Sequence, residues 1–273
     1  MIVYTNLFTI AGKDPKENRY IDMLYIWLTY LIKNGGLSNN DKIQVRIDQS
    51  SVNYLNEHGL IGLLMRHAKC QIEFIFMDQP ANASEGMIWK YSTKPELQLR
   101  TTTQPYLYID LDVLVMKPLS NNIPDLEPGQ IMVIPEGNMA HPLYVGDLLE
   151  KELTENMCGF TAGCFAFFNS DGIERFFENV SKECLENVGA QRYTVEQPFF
   201  NKWLCLTIQR QALPLSIVVN NLDIMENNKF NVTIINGIYN KETCVFLNYA
   251  GEPGNGSIHY LKMLAMLCDD FIS

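Results

Sequence analysis

The chain has 273 residues, of which 47% are hydrophobic and 19% are charged, and its net charge is −10 at neutral pH. This composition is typical of a globular protein with a substantial core. The negative charge argues against a nucleic-acid partner, because phosphate backbones bind basic surfaces. The sequence contains no linker, repeat or low-complexity stretch, so we expect a single domain over residues 1–273.

Several features bear on where the protein works. The chain has seven cysteines, an odd number, and none of them form a C-x-x-C pair. This pattern favours reduced thiols over a disulfide framework. The N-terminus lacks the basic start and the cleavage site of a signal peptide. The longest apolar stretch, Ile21–Ile32, contains Asp22 and is too short to cross a bilayer. We therefore expect a cytoplasmic protein without a transmembrane segment.

The first part of the chain alternates between predicted strands and predicted helices. The strands are Ile2–Leu7, Lys42–Ile47, Glu73–Met77 and Tyr106–Met116, and the helices are Tyr20–Lys33, Val52–His67 and Lys94–Thr101. This alternation predicts βαβ units, and thus an α/β fold with a mostly parallel central sheet flanked by helices. Further strands are predicted at Gln130–Ile134, Gly163–Phe168 and Leu213–Val219, and further helices at Ile173–Asn187 and Gln197–Leu206.

Two acidic residues interrupt the most apolar predicted strand, Tyr106–Met116. If this segment is one extended central strand, Asp110 and Asp112 point to the same side. Two carboxylates about 5 Å apart repel each other by about 3 kcal/mol at an effective dielectric constant near 20, and a divalent cation would relieve this repulsion. Mg²⁺ and Mn²⁺ complete their coordination with phosphate oxygens. The segment therefore predicts a metal site for a phosphorylated ligand; the alternative is a solvated pair of acids at a strand end.

Residues Tyr106–Leu119 resemble the core of the GT-A glycosyltransferases, most closely the retaining, glycogenin-like family 8 that includes the galactinol synthases. Four further segments match that family in order: Lys94, which lies 16 residues before Asp110, then Gly159–Gly163, Val195–Asn201 and Ile258–Tyr260. The resemblance implies a single Rossmann-like GT-A domain, with a nucleotide-binding half at 1–118 and a sugar and acceptor half at 119–273. It also implies retaining transfer of glucose or galactose from a UDP-sugar to an acceptor hydroxyl.

The resemblance assigns roles in binding the metal and the donor. Asp110, Asp112 and His259 would hold the metal, and an imidazole ligand favours Mn²⁺, with Mg²⁺ as the alternative. Tyr4, at the end of the first strand, would pack on the uridine base; the alternative is a strand aromatic in the core. The residues that would bind the donor are Tyr4, Thr5, Asn6, Lys94, Asp110, Leu111, Ala162, Gly163 and Lys262.

Glu196 and Gln197 would be the catalytic residues, with Glu196 orienting sugar hydroxyls and Gln197 close to the anomeric carbon. Each assignment has a structural alternative. Glu196 could compensate a helix dipole, Gly163 could mark a bulge or turn, and Lys94 could be an ordinary exposed lysine. His259 could be a structural histidine. The aromatic side chains Phe165, Phe167 and Phe168 are interpreted as core.

The sequence departs from the family pattern at two places. Thr161 stands where the family has Asn, and Lys262 is the nearest substitute for a late Lys-Pro-Trp segment whose lysine would hold the diphosphate. These departures keep a catalytically silent nucleotide-binding module as an alternative. Within enzymes, the rivals are a sugar-nucleotide pyrophosphorylase and an inverting GT-A enzyme. The acceptor could be a protein, a glycan, a polyol or a lipid-linked glycan, and a homodimer is compatible with the sequence.

Overall fold

The computed structural model describes residues 1–59, 62, 65–66, 68–92, 104–189, 195–222, 224–226, 244–249 and 257–272. Within these residues the chain forms a seven-stranded, mostly parallel sheet flanked by helices, and a separate three-stranded sheet. The predicted α/β class with a Rossmann-like central sheet is confirmed. None of the helices in this part of the chain is long and apolar enough to cross a bilayer.

The strands of the larger sheet are β1 (Ile2–Leu7), β2 (Lys42–Asp48), β3 (Gln71–Met77), β4 (Tyr106–Ile109), β6 (Gln130–Asn138), β7 (Cys158–Phe167) and β8 (Ser216–Val219). Their order is β3-β2-β1-β4-β7-β6-β8. β1 pairs with β4 in parallel, and β4 pairs with β7 antiparallel. The smaller sheet has the order β5-β10-β9, where β5 is Val113–Val115, β9 is Ile224–Glu226 and β10 is Phe246–Asn248.

The helices are α1 (Arg19–Asn34), α2 (Gln49–Glu57), α3 (Ala83–Met87), α4 (Lys151–Thr154), α5 (Asp171–Glu186), α6 (Gln197–Arg210) and α7 (Ser257–Ile272). Short 3-10 turns lie at Pro15–Glu17, Ile88–Tyr91, Leu119–Asn121 and Gly146–Leu148. Helix α2 begins before the predicted Val52, because the Asp48 carboxylate accepts hydrogen bonds from the N–H groups of Ser50 and Ser51 and caps the helix. The helix predicted at Lys94–Thr101 lies outside the described residues.

The single strand predicted over Tyr106–Met116 is wrong: the segment forms two strands that belong to different sheets. β4 ends at Ile109, and a turn follows in which the Val113 N–H donates to the Asp110 carbonyl at 3.0 Å. Asp favours turns and is depleted in strands, whereas every residue of β4 and β5 is buried. The two acids therefore mark the end of a strand, and the alternation expected for an extended chain does not apply to them.

Gly159–Gly163, one of the segments selected from the sequence, lies inside β7. The pairing of β7 with β6 is irregular here, since Val133 pairs with Phe165 while Pro135 pairs with Phe160. Pro135 has no N–H to donate. The Asn201 side chain bonds both backbone groups of Phe160 instead, accepting from its N–H at 2.7 Å and donating to its carbonyl at 2.8 Å. The alternative interpretation of Gly163 as a bulge residue agrees with this irregular pairing of β6 and β7.

The described residues group into two compact units. Unit 1 comprises Met1–Asn6, Pro80–Ile109 and Asp125–Asn221; unit 2 comprises Leu7–Gln79, Asp110–Pro124 and Leu222–Ser273. The core of unit 1 is aromatic, and Phe165 and Phe167 are completely buried in it, as the sequence predicted. Phe168, which was also predicted to be core, is only partly buried. The core of unit 2 joins α1, α7 and the smaller sheet and includes Met23, Ile26, Tyr30, Leu114, Leu247, Tyr249, Met263 and Met266.

Candidate functional site

A buried ion pair joins Lys90 to Glu196 within unit 1. The Lys90 ammonium donates to Glu196 Oε1 at 2.8 Å and to the Ala162 carbonyl at 3.1 Å, and it lies 4.5 Å from the centre of the Tyr108 ring. The Lys90 side chain is 0% exposed and that of Glu196 is 9% exposed. Removing two charges from water costs several kcal/mol for each ion, and an apolar pair would avoid that cost. We therefore treat this cluster as a candidate site.

The position of Lys90 is fixed by its own backbone as well. Lys90 lies in the 3-10 turn Ile88–Tyr91, and its carbonyl accepts a hydrogen bond of 2.7 Å from the Tyr4 hydroxyl. Tyr4 is 0% exposed and packs edge-on against Tyr106 and Tyr108. The structure thus places Tyr4 in the core, as the alternative interpretation held, and leaves no face of its ring for the predicted contact with a base.

Glu196 and Gln197 stand at the start of α6, where the sequence predicted a helix. Glu196 occupies the N-cap position, but its side chain caps no backbone N–H and binds Lys90 instead. The carboxylate nevertheless lies at the positive end of the helix dipole, so the structural alternative of dipole compensation agrees with its position. The Gln197 amide bridges two backbone groups, because its Oε1 accepts from the Ala162 N–H at 3.0 Å and its Nε2 donates to the Leu143 carbonyl at 3.2 Å.

The structure thus brings together three predicted site residues, Ala162, Glu196 and Gln197, with one residue that the sequence did not single out. Lys90 lies between two aromatic residues in Trp89–Tyr91, and all three are buried. A lysine inside such an aromatic run is the only signal that could have identified it. The predicted donor contact, Lys94, lies outside the described residues. The Gly163 N–H donates a hydrogen bond of 3.1 Å to the Thr161 hydroxyl, a residue of the same strand.

Thr5 and Asn6, at the end of β1, carry buried polar atoms. Thr5 is 0% exposed and Asn6 is 8% exposed. Asn6 Nδ2 contacts the Gly86 carbonyl at 3.4 Å, while Thr5 Oγ1 and Asn6 Oδ1 have no hydrogen-bond partner among the described residues. A buried polar atom without a partner costs about 1–3 kcal/mol. Both oxygens are inaccessible to solvent in this structure, so the role of Thr5 and Asn6 in binding the donor stays a prediction.

Asp110 and Asp112 lie in the turn after β4 and are partly buried, while Leu111 between them is buried. Burial raises the pKa of the Tyr20 hydroxyl, and the negative charges of Asp112 and Asp110 raise it further. Both carboxylates therefore act on the same phenol at the start of α1. The Tyr249 N–H donates to the Asp112 carbonyl at 2.9 Å and holds the turn against the chain that follows β10.

The metal site was predicted from three side chains, and the structure describes two of them. Across the described part of the chain, no three His, Cys, Asp or Glu side chains are grouped so that they could hold a metal ion. The backbone of His259 lies in the first turn of α7, but its side chain is outside the described residues. Lys262 follows on α7 and is buried. Asp110 and Asp112 offer only oxygen ligands, which fit a hard divalent cation.

The two groups of residues differ in chemistry. The group around Lys90 presents a fixed cation, a carboxylate and an amide, which can bind a ligand rich in hydroxyl groups. The pair Asp110 and Asp112 presents negative oxygens, which can bind a cation and through it a phosphate. No protein-family model matches the sequence, and no curated protein matches it.

Proposed function

We propose that the protein is a metal-dependent retaining glycosyltransferase that moves glucose or galactose from a UDP-sugar to an acceptor hydroxyl. The observation that carries this proposal is the buried Lys90–Glu196 pair, which is attached to Ala162 at 3.1 Å and lies beside Gln197. Glu196 and Gln197 were selected from the sequence as catalytic residues. Their association with a second buried charge is unusual for a purely structural helix start.

In this proposal Lys90 holds the Glu196 side chain in one orientation by binding its Oε1. The Glu196 carboxylate accepts hydrogen bonds from the donor sugar, and its negative charge favours the positive charge that develops at the anomeric carbon in the transition state. Because the carboxylate is already fixed, it need not reorganise during the reaction.

Gln197 has a narrower role than the sequence suggested. Its amide already binds the Ala162 N–H and the Leu143 carbonyl, so one amide hydrogen remains for a ligand. We propose that Gln197 holds the strand at Ala162 in place and offers its remaining hydrogen to the sugar. Thr5 and Asn6 stay predicted contacts of the nucleotide.

Asp110 and Asp112 would hold the divalent cation, Mn²⁺ or Mg²⁺, and His259 stays the predicted third ligand. When bound, such a cation neutralises the charge that grows on the departing diphosphate. Lys262 and Lys94 stay predicted contacts of the phosphates and the sugar. Retention, as the family resemblance implies, has the acceptor attack from the side of the leaving group, with the diphosphate taking the proton of the hydroxyl. The acceptor remains one of a protein, a glycan, a polyol or a lipid-linked glycan.

One observation favours a second candidate, a nucleotide-binding module without catalysis. Both ends of the Gln197 amide are bonded to the backbone, as in a purely structural role. Such a module would bind UDP and a cation but would not cleave a UDP-sugar. Both candidates therefore predict binding of UDP and a cation, and only the glycosyltransferase predicts cleavage of a UDP-sugar.

The test is to incubate the protein with UDP-glucose and with UDP-galactose in the presence of Mn²⁺, and to measure UDP release and the intact mass. Turnover should be lost in Asp110→Asn, Asp112→Asn and Glu196→Gln, and it should be retained in Asp125→Asn, a control at an exposed position. Binding of UDP without UDP-sugar cleavage would favour the silent module. A protein that binds neither UDP nor a UDP-sugar would overturn both candidates.

A further inference from the structure

The chain between β6 and α4 packs on the candidate site through an aromatic ring. Tyr144 is 5% exposed, and its ring lies across two glycines that belong to neighbouring strands. A Cβ at Gly137 of β6 would lie 2.7 Å from the Tyr144 hydroxyl oxygen, and a Cβ at Gly159 of β7 would lie 2.4 Å from Cγ of the ring. Because only glycine leaves room for the ring at both positions, the two residues form a glycine cradle for Tyr144.

The residue before Tyr144 binds one of the proposed catalytic side chains. The Leu143 carbonyl accepts a hydrogen bond of 3.2 Å from Gln197 Nε2, and Gln197 Oε1 accepts one of 3.0 Å from the Ala162 N–H. An amide side chain can flip and so exchange its oxygen and its nitrogen. The two backbone contacts together select one orientation, with Oε1 toward Ala162 and Nε2 toward Leu143.

We propose that Tyr144 is a positioning residue for Gln197. The ring in the glycine cradle holds the Leu143 carbonyl at hydrogen-bond distance from Gln197 Nε2, and this contact directs the second Nε2 hydrogen to the donor sugar. The inference rests on the proposed role of Gln197 in glycosyl transfer and adds a residue that acts through it. Misplacing a group by about 1 Å can lower a rate about 100-fold, so Tyr144 would control turnover without touching the substrate.

A double-mutant cycle on turnover tests this role. With the UDP-sugar that the wild type cleaves, Tyr144→Ala and Gln197→Leu should each lower kcat about tenfold or more. The variant that carries both changes should be no slower than Gln197→Leu alone, because Tyr144 acts through Gln197. Tyr144→Phe keeps the ring in the glycine cradle and should retain most of the turnover.

A second measurement does not depend on turnover. The two Nε2 hydrogens of Gln197 give side-chain amide signals in nuclear magnetic resonance, and the absence of these signals from Gln197→Leu assigns them. Their exchange with water should be about tenfold faster in Tyr144→Ala than in the wild type and in Tyr144→Phe, because the hydrogen bond to Leu143 is lost. Thermal unfolding shows whether each variant is folded. Tyr144→Leu, which fills less of the glycine cradle, replaces the alanine variant if that variant does not fold.

The outcomes distinguish this role from the proposed function. Losses that add in the double variant, equal losses in Tyr144→Phe and Tyr144→Ala, or unchanged exchange at Gln197 would overturn the role of Tyr144 and leave the glycosyltransferase standing. Full turnover in Gln197→Leu would overturn the roles of Gln197 and Tyr144 in transfer. A wild type that cleaves no UDP-sugar, with faster exchange at Gln197 in Tyr144→Ala, would overturn the proposed function and support the positioning of the amide by Tyr144.

Discussion

Lys90 Nζ lies 2.8 Å from Glu196 Oε1, and the two residues are separated by 106 positions in the sequence. The contact joins the 3-10 turn after α3 to the first residues of α6. It is held on one side by the Tyr4 hydroxyl, which binds the Lys90 carbonyl, and on the other by the Ala162 carbonyl, which binds the ammonium. This pair is therefore part of the interior of unit 1, and its removal should affect both folding and the proposed chemistry.

Replacing Lys90 with methionine should destabilise the protein by about 3–5 kcal/mol, because the Glu196 carboxylate would remain buried without its cation. Urea denaturation of the variant and the wild type measures this difference. The double variant Lys90→Met and Glu196→Leu should recover much of the loss, since an apolar pair avoids the buried charge.

The matched control for that experiment is Lys182→Met, which removes an exposed ion pair. Lys182 lies 3.9 Å from Glu186, and the two side chains are 72% and 58% exposed. Exposed pairs contribute less than about 1 kcal/mol, so the stability of this variant should be close to that of the wild type. Equal effects of Lys90→Met and Lys182→Met would show that the buried pair does not contribute as proposed.

Glu196→Gln should reduce turnover of a UDP-sugar about 100-fold or more, while UDP binding by the folded variant changes little, because the substitution keeps the shape of the side chain and removes its charge. It also leaves the Lys90 ammonium buried without its counter-charge, so the variant should be less stable than the wild type. The check is the rate of UDP release together with calorimetry of UDP binding. The exposed residue Glu178, on α5, offers the control Glu178→Gln, which should be as active as the wild type. Unchanged turnover in Glu196→Gln would remove Glu196 from the catalytic residues.

Gly159→Ala should destabilise the protein by about 1–3 kcal/mol through overpacking. A Cβ at Gly159 would lie 2.4 Å from Cγ of Tyr144 and 2.9 Å from the Glu136 carbonyl oxygen, and neither the ring nor the backbone can move away easily. Gly62→Ala is the control, because a Cβ there meets no atom of the described residues within 4 Å. Thermal unfolding compares the two, and a neutral Gly159→Ala would mean that Tyr144 repacks at little cost.

Stability at alkaline pH should depend on Cys184. Burial, and to a smaller extent the negative charge of Glu196, together raise the pKa of this thiol from 9.0 to about 12. At a pH between these two pKa values the thiol is ionised in the unfolded chain and protonated in the folded protein. The free energy of unfolding therefore falls as the pH rises through this range.

Between pH 8 and pH 10.5 the wild type should therefore lose about 2 kcal/mol more than Cys184→Ala, which has no thiol to ionise. Urea denaturation at the two pH values gives this difference, and the constant cost of the cavity in the variant cancels in the comparison. Parallel curves for the two proteins would show that the thiol ionises equally in the folded and unfolded states.

Local patterns in the sequence predicted the regular elements well. α1 was expected at Tyr20–Lys33 and is observed at Arg19–Asn34, because its apolar face repeats with helical spacing and Asn18 caps its first turn. β1 has its predicted bounds. These elements depend on residues that are neighbours in the chain, and this is the information that periodicity carries.

The candidate site depended on distant contacts and was predicted less completely. Glu196 and Gln197 were identified, but Lys90 was missed, because its partner is 106 positions away and its place between two aromatic residues is only a weak local signal. The break between Ile109 and Val113 was also missed, since the apolar residues on both sides read as one strand. Val113–Val115 pairs with β10 in the smaller sheet and not with the strands that flank β4. This long-range pairing separates the two strands, and it is not visible in the local sequence.

The short link between β4 and β5 has a consequence for how the sequence can change. Three residues, Asp110 to Asp112, separate two strands whose registers are set independently, by Tyr108 against Tyr4 in one sheet and by Val113 against Asn248 in the other. A link of three residues is too short to absorb the insertion or deletion of one residue. The change would instead shift β5 by one position and exchange its inward-facing and outward-facing side chains. Length changes in this link should therefore be tolerated far less well than substitutions.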